Sequence, residues 1–182
     1  DECRAAFSYE GPGRELVARL KYRNARAALP FLAVAMAALV DPSTIDVVTW
    51  APTAARRRRQ RGFDHAQLLA RAVARRLRLP CRALLRRRGD AAQTGRTLAE
   101  RHRGPAFDSR GAAPGRVLVV DDVVTSGATV SAAARCLRGA GAAEVQVVVA
   151  ARTPVSSGSP ARSLHGVSGA DVHSVRGVDR GE

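Results

Sequence analysis

The sequence predicts an α/β fold, three layers deep (α/β/α), around a mostly parallel central sheet. Two observations predict it. The strand candidates Val117–Val120 and Val145–Ala150 are continuous apolar runs, as strands buried on both faces must be. They also alternate along the chain with segments whose apolar residues recur at helical spacing. With 46% hydrophobic residues in 182, the chain can bury one real core; with aromatics at 4%, that core is built from Ala, Val and Leu.

Each element has its own reason. Gly11-Pro12-Gly13 reads as a turn, after which Leu16, Val17 and Leu20 mark an amphipathic helix. Ala27–Val40 is the most apolar run. Its 14 residues are too few to span a bilayer, so it reads as a buried helix that starts near Pro30 and stops by Asp41-Pro42. Ile45–Trp50 is a β-branched run and reads as a strand ended by Pro52. Asp64 is an N-cap for a helix carrying Leu68, Leu69, Val73 and Leu77 up to Pro80. Cys81–Leu85 is a further strand candidate, Arg86–Gly95 a mobile loop, and Thr97–Glu100 has capping-box spacing. Ala113-Pro114-Gly115 is a turn before the Val117 strand. A helix follows from about Ala128 to Arg138, punctuated by Gly139 and Gly141. Residues 1–153 are expected to form the domain. Residues 154–182, poor in large apolar groups, are expected to be a disordered tail.

The net charge is +14, and Lys21 is the only lysine. Between Arg56 and Arg103 sixteen Arg face only Asp64, Asp90 and Glu100, a surplus of thirteen that is almost the whole net charge. So concentrated a charge points to a polyanionic ligand, a phosphorylated small molecule or nucleic acid. Only Phe63 interleaves the first basic run, so a base-stacking surface is not indicated; nonspecific single-stranded DNA binding stays open as a reading. The three cysteines, Cys3, Cys81 and Cys136, are isolated and odd in number, which argues against a disulfide framework and for a reducing, cytoplasmic location. No secretory signal or membrane insertion is expected. The chain begins at Asp1 and not at methionine, so an upstream segment is expected.

One segment carries chemistry. The strand Val117–Val120 leads to Asp121 and Asp122 at the carboxyl edge of a parallel sheet, where α/β folds hold ligands. Two adjacent carboxylates accept hydrogen bonds from the 2′- and 3′-hydroxyls of a ribose. Thr125, Ser126, Gly127, Ala128 and Thr129 then turn into a helix. They offer backbone N–H groups, hydroxyl donors and the positive end of a helix dipole, a setting that suits phosphate. Gly127 allows the close approach of an anion. Together these groups specify a ribose 5-phosphate.

The thirteen residues Val117–Thr129 resemble the motif that binds 5-phosphoribosyl diphosphate (PRPP) in type I phosphoribosyltransferases. Other segments resemble the ComF family of phosphoribosyltransferase-like competence proteins. These are Tyr9-Glu10-Gly11 with Arg14, Glu15, Leu16 and Leu20-Lys21-Tyr22, then Pro52 with Arg57, Arg59 and Arg61-Gly62-Phe63-Asp64. Gln93-Thr94-Gly95 with Glu100-Arg101 and Phe107 follows, and Ala150-Ala151-Arg152-Thr153 matches the last strand. The likeness covers residues 7 to 153. It departs at Trp50-Ala51-Pro52-Thr53, at His65 in place of Gln, and at Gly104 in place of Asn. Many members begin with a zinc ribbon; only Cys3 is present here, so no zinc site is expected in this sequence.

The resemblance implies a type I phosphoribosyltransferase-like fold with a helical hood over residues 7–40, where acceptor specificity would reside. It implies Asp121 and Asp122 as the catalytic carboxylates and Thr125–Thr129 as the phosphate loop. Arg57, Arg59, Arg61 and Arg101 would meet the diphosphate, with Arg61 foremost. Mg2+ would come with the ligand's phosphates, touching at most Asp121 and Asp122. The implied activity is transfer of a phosphoribosyl group with release of diphosphate. The implied alternative is a PRPP-sensing or adaptor module in DNA uptake and recombination, with competence or DNA-processing proteins as partners. The sequence is compatible with an oligomer.

Overall fold

The computed structural model describes residues 3–21, 25–54, 63–88 and 105–154. Its elements in chain order are strand β1 (Cys3–Ser8), helices α1 (Gly11–Lys21) and α2 (Ala25–Ala37), a 3-10 turn at Pro42–Thr44, and β2 (Val47–Trp50). They continue with α3 (His65–Leu77), β3 (Leu85–Arg87), β4 (Phe107–Ser109), β5 (Arg116–Val124), α4 (Ala128–Gly139) and β6 (Glu144–Arg152).

β1, β6, β5 and β2 lie side by side in that order, and every pair is parallel. Each face of this sheet has its own core. On one face Val48, Trp50, Leu118, Val120 and Val148 pack against α2 and α3 through Leu32, Met36, Leu69 and Val73. On the other, Val47, Val117, Val119, Val145 and Val147 pack against α4 through Val130 and Leu137, with Leu85 and Phe107 of the β3–β4 pair. The fold is therefore α/β with a parallel central sheet covered on both sides, and the continuous apolar strands follow from that double burial.

Several elements differ from the sequence expectation. Gly11–Gly13 is the first turn of α1 and not a free turn. A Cβ on Gly13 would run into the Ser8 carbonyl, so a side chain there would push α1 off the end of β1. Helix α2 starts at Ala25 and contains Pro30. It is not buried all round: Ala28, Leu32, Ala33 and Met36 face the core, while Phe31 is 57% and Val34 45% exposed, and Phe31 stacks on Phe7. The strand expected from Ile45 begins at Val47, because Asp41 caps the 3-10 turn and carries the chain to Ile45. Cys81 makes a single parallel bridge to Val48, with the Val48 N–H on the Pro80 carbonyl (2.9 Å) and the Arg82 N–H on the Val48 carbonyl (2.9 Å); the named strand is Leu85–Arg87. Arg86 and Arg87 are thus strand and not loop, paired antiparallel with Asp108 and Phe107.

Asp64 caps α3 as expected, accepting from the Gln67 N–H (3.5 Å), and Asp46 ties the start of β2 to the start of β5 through Arg116 (2.7 Å). The capping-box segment Thr97–Glu100 and the tail from residue 155 lie outside the described residues. No helix among the described residues is long and apolar enough to cross a membrane.

Candidate functional site

β5 runs further than its apolar part. The strand continues through Asp121 and Asp122 to Val124, and Asp121, Val123 and Val124 stay in register with Val149, Ala151 and Arg152 of β6. The two carboxylates were expected at the strand's end; they sit inside its last turn of ladder, on backbone that the sheet holds. Side chains of successive strand residues leave on opposite faces, so the pair diverges in environment. Asp121 is buried and Asp122 half-buried. The Asp122 N–H donates to Asp121 Oδ1 (2.8 Å), and the Val123 N–H donates to Asp122 Oδ1 (2.8 Å). Burial first, then the charge of Asp122 and more weakly that of Asp64, push the Asp121 carboxyl well above the ordinary carboxylate range. The pair thus joins a buried acid of raised proton affinity to a second, more accessible carboxylate, a setting that can meet the hydroxyls of a polyol.

The loop behind the pair turns at Gly127, whose φ of 77° is left-handed and suits glycine. A Cβ there would meet no atom within 4 Å, so the space above this residue is open. Gly127 is the N-cap of α4 and brings no side-chain cap; Ser126 Oγ reaches the Ala128 N–H only at 3.5 Å. The first-turn N–H groups of α4 therefore remain available to an anion at the positive end of the helix dipole. Thr125 and Ser126 are exposed, and Ala128 and Thr129 half-buried. The end of β6 anchors the loop's base, with the Thr153 N–H on the Val124 carbonyl (2.9 Å).

A cavity of about 190 Å³ opens beside the loop, lined by Thr125, Ser126 and Gly127 with Val130, Cys3 and Arg152. Asp121, Asp122, Ala128 and Thr129 are not among the described residues that line it. Arg152, absent from the residues the sequence points to, stands on this wall at the carboxyl end of a parallel strand, where α/β sheets hold ligands.

Arg57, Arg59, Arg61 and Arg101 lie outside the described residues. The points where the chain enters and leaves residues 55–62 are held together: Asp64 accepts from the Thr53 N–H (3.0 Å) and from Thr53 Oγ1 (3.2 Å). The described part of the basic segment faces solvent at Arg71, Arg75, Arg76, Arg78 and Arg82, while Arg86 and Arg88 pair with Asp108 (3.3 and 2.6 Å). His65 is buried and packs its ring against Phe63, with centroids 4.9 Å apart.

A model of the phosphoribosyl transferase domain matches residues 65–164, more than half of the chain. The chain belongs to that family. The matched part of the phosphoribosyl transferase domain contains α3, β5, the Thr125–Thr129 loop, α4 and β6. Among solved structures the domain is similar to a purine phosphoribosyltransferase from Pyrococcus horikoshii. The two are 17% identical, with 70% of this chain and 83% of that one covered and a TM-score of 0.47. It is also similar to a structure described as an analysis of an invariant aspartic acid in HPRTs, glutamic acid mutant, with 18% identity, 79% and 74% coverage and a TM-score of 0.42. No curated protein matches the sequence.

Proposed function

We propose that this domain binds PRPP and transfers its phosphoribosyl group to an acceptor, releasing diphosphate. One observation carries the reading. Two adjacent carboxylates at the carboxyl end of a central parallel strand are followed directly by a glycine-turned helix start whose N–H groups have no strong side-chain cap. Asp121 and Asp122 would take the 2′- and 3′-hydroxyls of the ribose, and Thr125–Thr129 its 5-phosphate. With the sugar held at both ends, C1 is fixed for attack by the acceptor's nucleophile. The new bond forms at C1 as the C1–O bond to diphosphate breaks, and the electron pair leaves with the diphosphate. Positive charge on the ribose ring in the transition state is favoured by the Asp121–Asp122 pair. Arg57, Arg59, Arg61 and Arg101 are assigned to the leaving diphosphate.

The carboxylates of Asp121 and Asp122 are hard oxygen donors of the kind Mg2+ takes. Asp121 and Asp122 would hold it together with the ligand's own phosphates, and it would supply charge neutralisation on the diphosphate. The closer assignment is a ComF-like domain linked to DNA uptake, with residues 7–40 contributing the acceptor side and residues 1–153 acting as one unit. It rests on the Leu-Lys-Tyr, Arg-Gly-Phe and Ala-Arg-Thr segments.

Calorimetry with PRPP and Mg2+ tests the site. Binding is expected in the wild type and lost in Asp121→Asn/Asp122→Asn, whereas equal binding by the double variant sinks the assignment. Diphosphate release measured over a panel of nitrogenous bases tests the reaction. Release with none of them, in a protein that binds PRPP, favours the sensing module over the transferase.

A further inference from the structure

Arg152 ends β6 directly across from Val124, the residue that leads into the phosphate loop. Arg152 lines the cavity that Thr125, Ser126 and Gly127 also line. Among the described residues no carboxylate lines that wall, and Arg152 forms no ion pair with a described carboxylate. Cys3 stands on the same wall; burial raises its thiol's proton affinity, and the charges of Arg152 and Asp121 act on it in opposite senses. A half-buried cation with no ion pair among the described residues, on a wall shared with two hydroxyl side chains and a left-handed glycine, is a setting for an anion.

We propose that Arg152 is a phosphate-binding residue, closing the Thr125–Gly127 loop from the cavity side with its guanidinium fork. This deepens the PRPP reading and rests on it. The helix start supplies N–H groups and partial charge, whereas Arg152 supplies a full charge and two donors in fixed geometry. The ladder pairing of Val124 with Arg152 and the Thr153 bond to Val124 keep donor and loop in register. The loop's selectivity for a phosphorylated over an unphosphorylated pentose follows from this residue.

The test is calorimetric titration of the full chain with ribose 5-phosphate, ribose and inorganic phosphate, on wild type, Arg152→Gln and Arg152→Lys. Arg152→Gln is expected to bind ribose 5-phosphate at least tenfold more weakly, and to lose its preference over ribose by the same factor. Arg152→Lys keeps the charge but not the fork, and is expected to fall about fivefold. Unchanged affinity in Arg152→Gln overturns the assignment. If that variant does not fold, unchanged affinity in Arg152→Lys overturns it instead. Failure of wild type to bind ribose 5-phosphate at all overturns the PRPP reading itself, a result distinct from equal binding by wild type and variants.

Discussion

Thr53 donates to Asp64 twice, from its N–H to Oδ2 and from its hydroxyl to Oδ1, and the same carboxylate caps α3. One buried side chain thus ties the residues that follow β2 to the start of α3. Asp64→Ala is expected to cost about 2 kcal/mol, the loss of a cap plus a buried acceptor. Urea unfolding measures it, and a double-mutant cycle with Thr53→Val should return a coupling of about 1 kcal/mol. Additive single effects would show that the Thr53 bonds contribute nothing.

Asp121 pairs binding against stability. Its folded proton affinity is raised above the unfolded value, chiefly by burial. The folded state therefore holds the proton more tightly, and stability is fully present below the ordinary carboxylate range and lost as pH rises through the raised value. Asp121→Asn is expected to be more stable than wild type at pH 8, with the gap closing toward pH 4. Thermal unfolding across that range checks it; a gap that does not vary with pH contradicts it.

Gly127 sits at φ 77° with open space where a Cβ would go. Gly127→Ala should therefore cost only the backbone strain, about 1 kcal/mol. Its methyl would project into the space an anion would enter, so ribose 5-phosphate affinity is expected to fall tenfold or more. Calorimetry beside thermal unfolding separates the two effects, and a variant that loses stability but not affinity moves the phosphate elsewhere.

Arg78 ends α3 in the left-handed conformation with φ 58°. Its exposed side chain gains little there, so Arg78→Gly is expected to raise stability by about 1 kcal/mol through relief at the cap. Urea unfolding that shows a loss would mean the arginine stem packs usefully.

Asp46 is held at about 2 by hydrogen bonds from the Arg116 side chain and backbone N–H. A lowered folded value contributes stability that is present above the unfolded carboxylate value near 3.8 and lost as pH falls through about 2. Asp46→Asn is expected to unfold at a lower temperature than wild type at pH 6. The difference should shrink as the pH is taken from 4 to 2, followed by circular dichroism.

The central motif was legible because local pattern and burial agree there. Val117–Val120 is apolar on both faces, and the Thr125–Thr129 loop needs its glycine where the backbone turns left-handed. β1 was not legible. Its Cys-Arg-Ala-Ala-Phe-Ser sequence has no β-branched residue, and it becomes a strand by taking an edge of β6. β4 is three residues whose partner lies about twenty positions away, so pairing and not propensity makes it. Pro30 reads as a helix start by local rule, yet packing of Ala28, Leu32 and Met36 carries the helix through it. Arg152 ends a strand that the apolar run Val145–Ala150 announces, but its place beside the loop depends on the register of β6 against β5, which local pattern does not carry.

The β3–β4 ladder has one more consequence. It sets Arg88 beside Ala106, N–H to carbonyl at 3.0 Å, so the two sides of the 89–104 interval are already neighbours. Chain inserted between neighbours adds closure entropy only logarithmically, about 0.6 kcal/mol for each doubling. A change of length between these two ends is thus one that the ladder can absorb, leaving the sheet, the loop and the carboxylates in place.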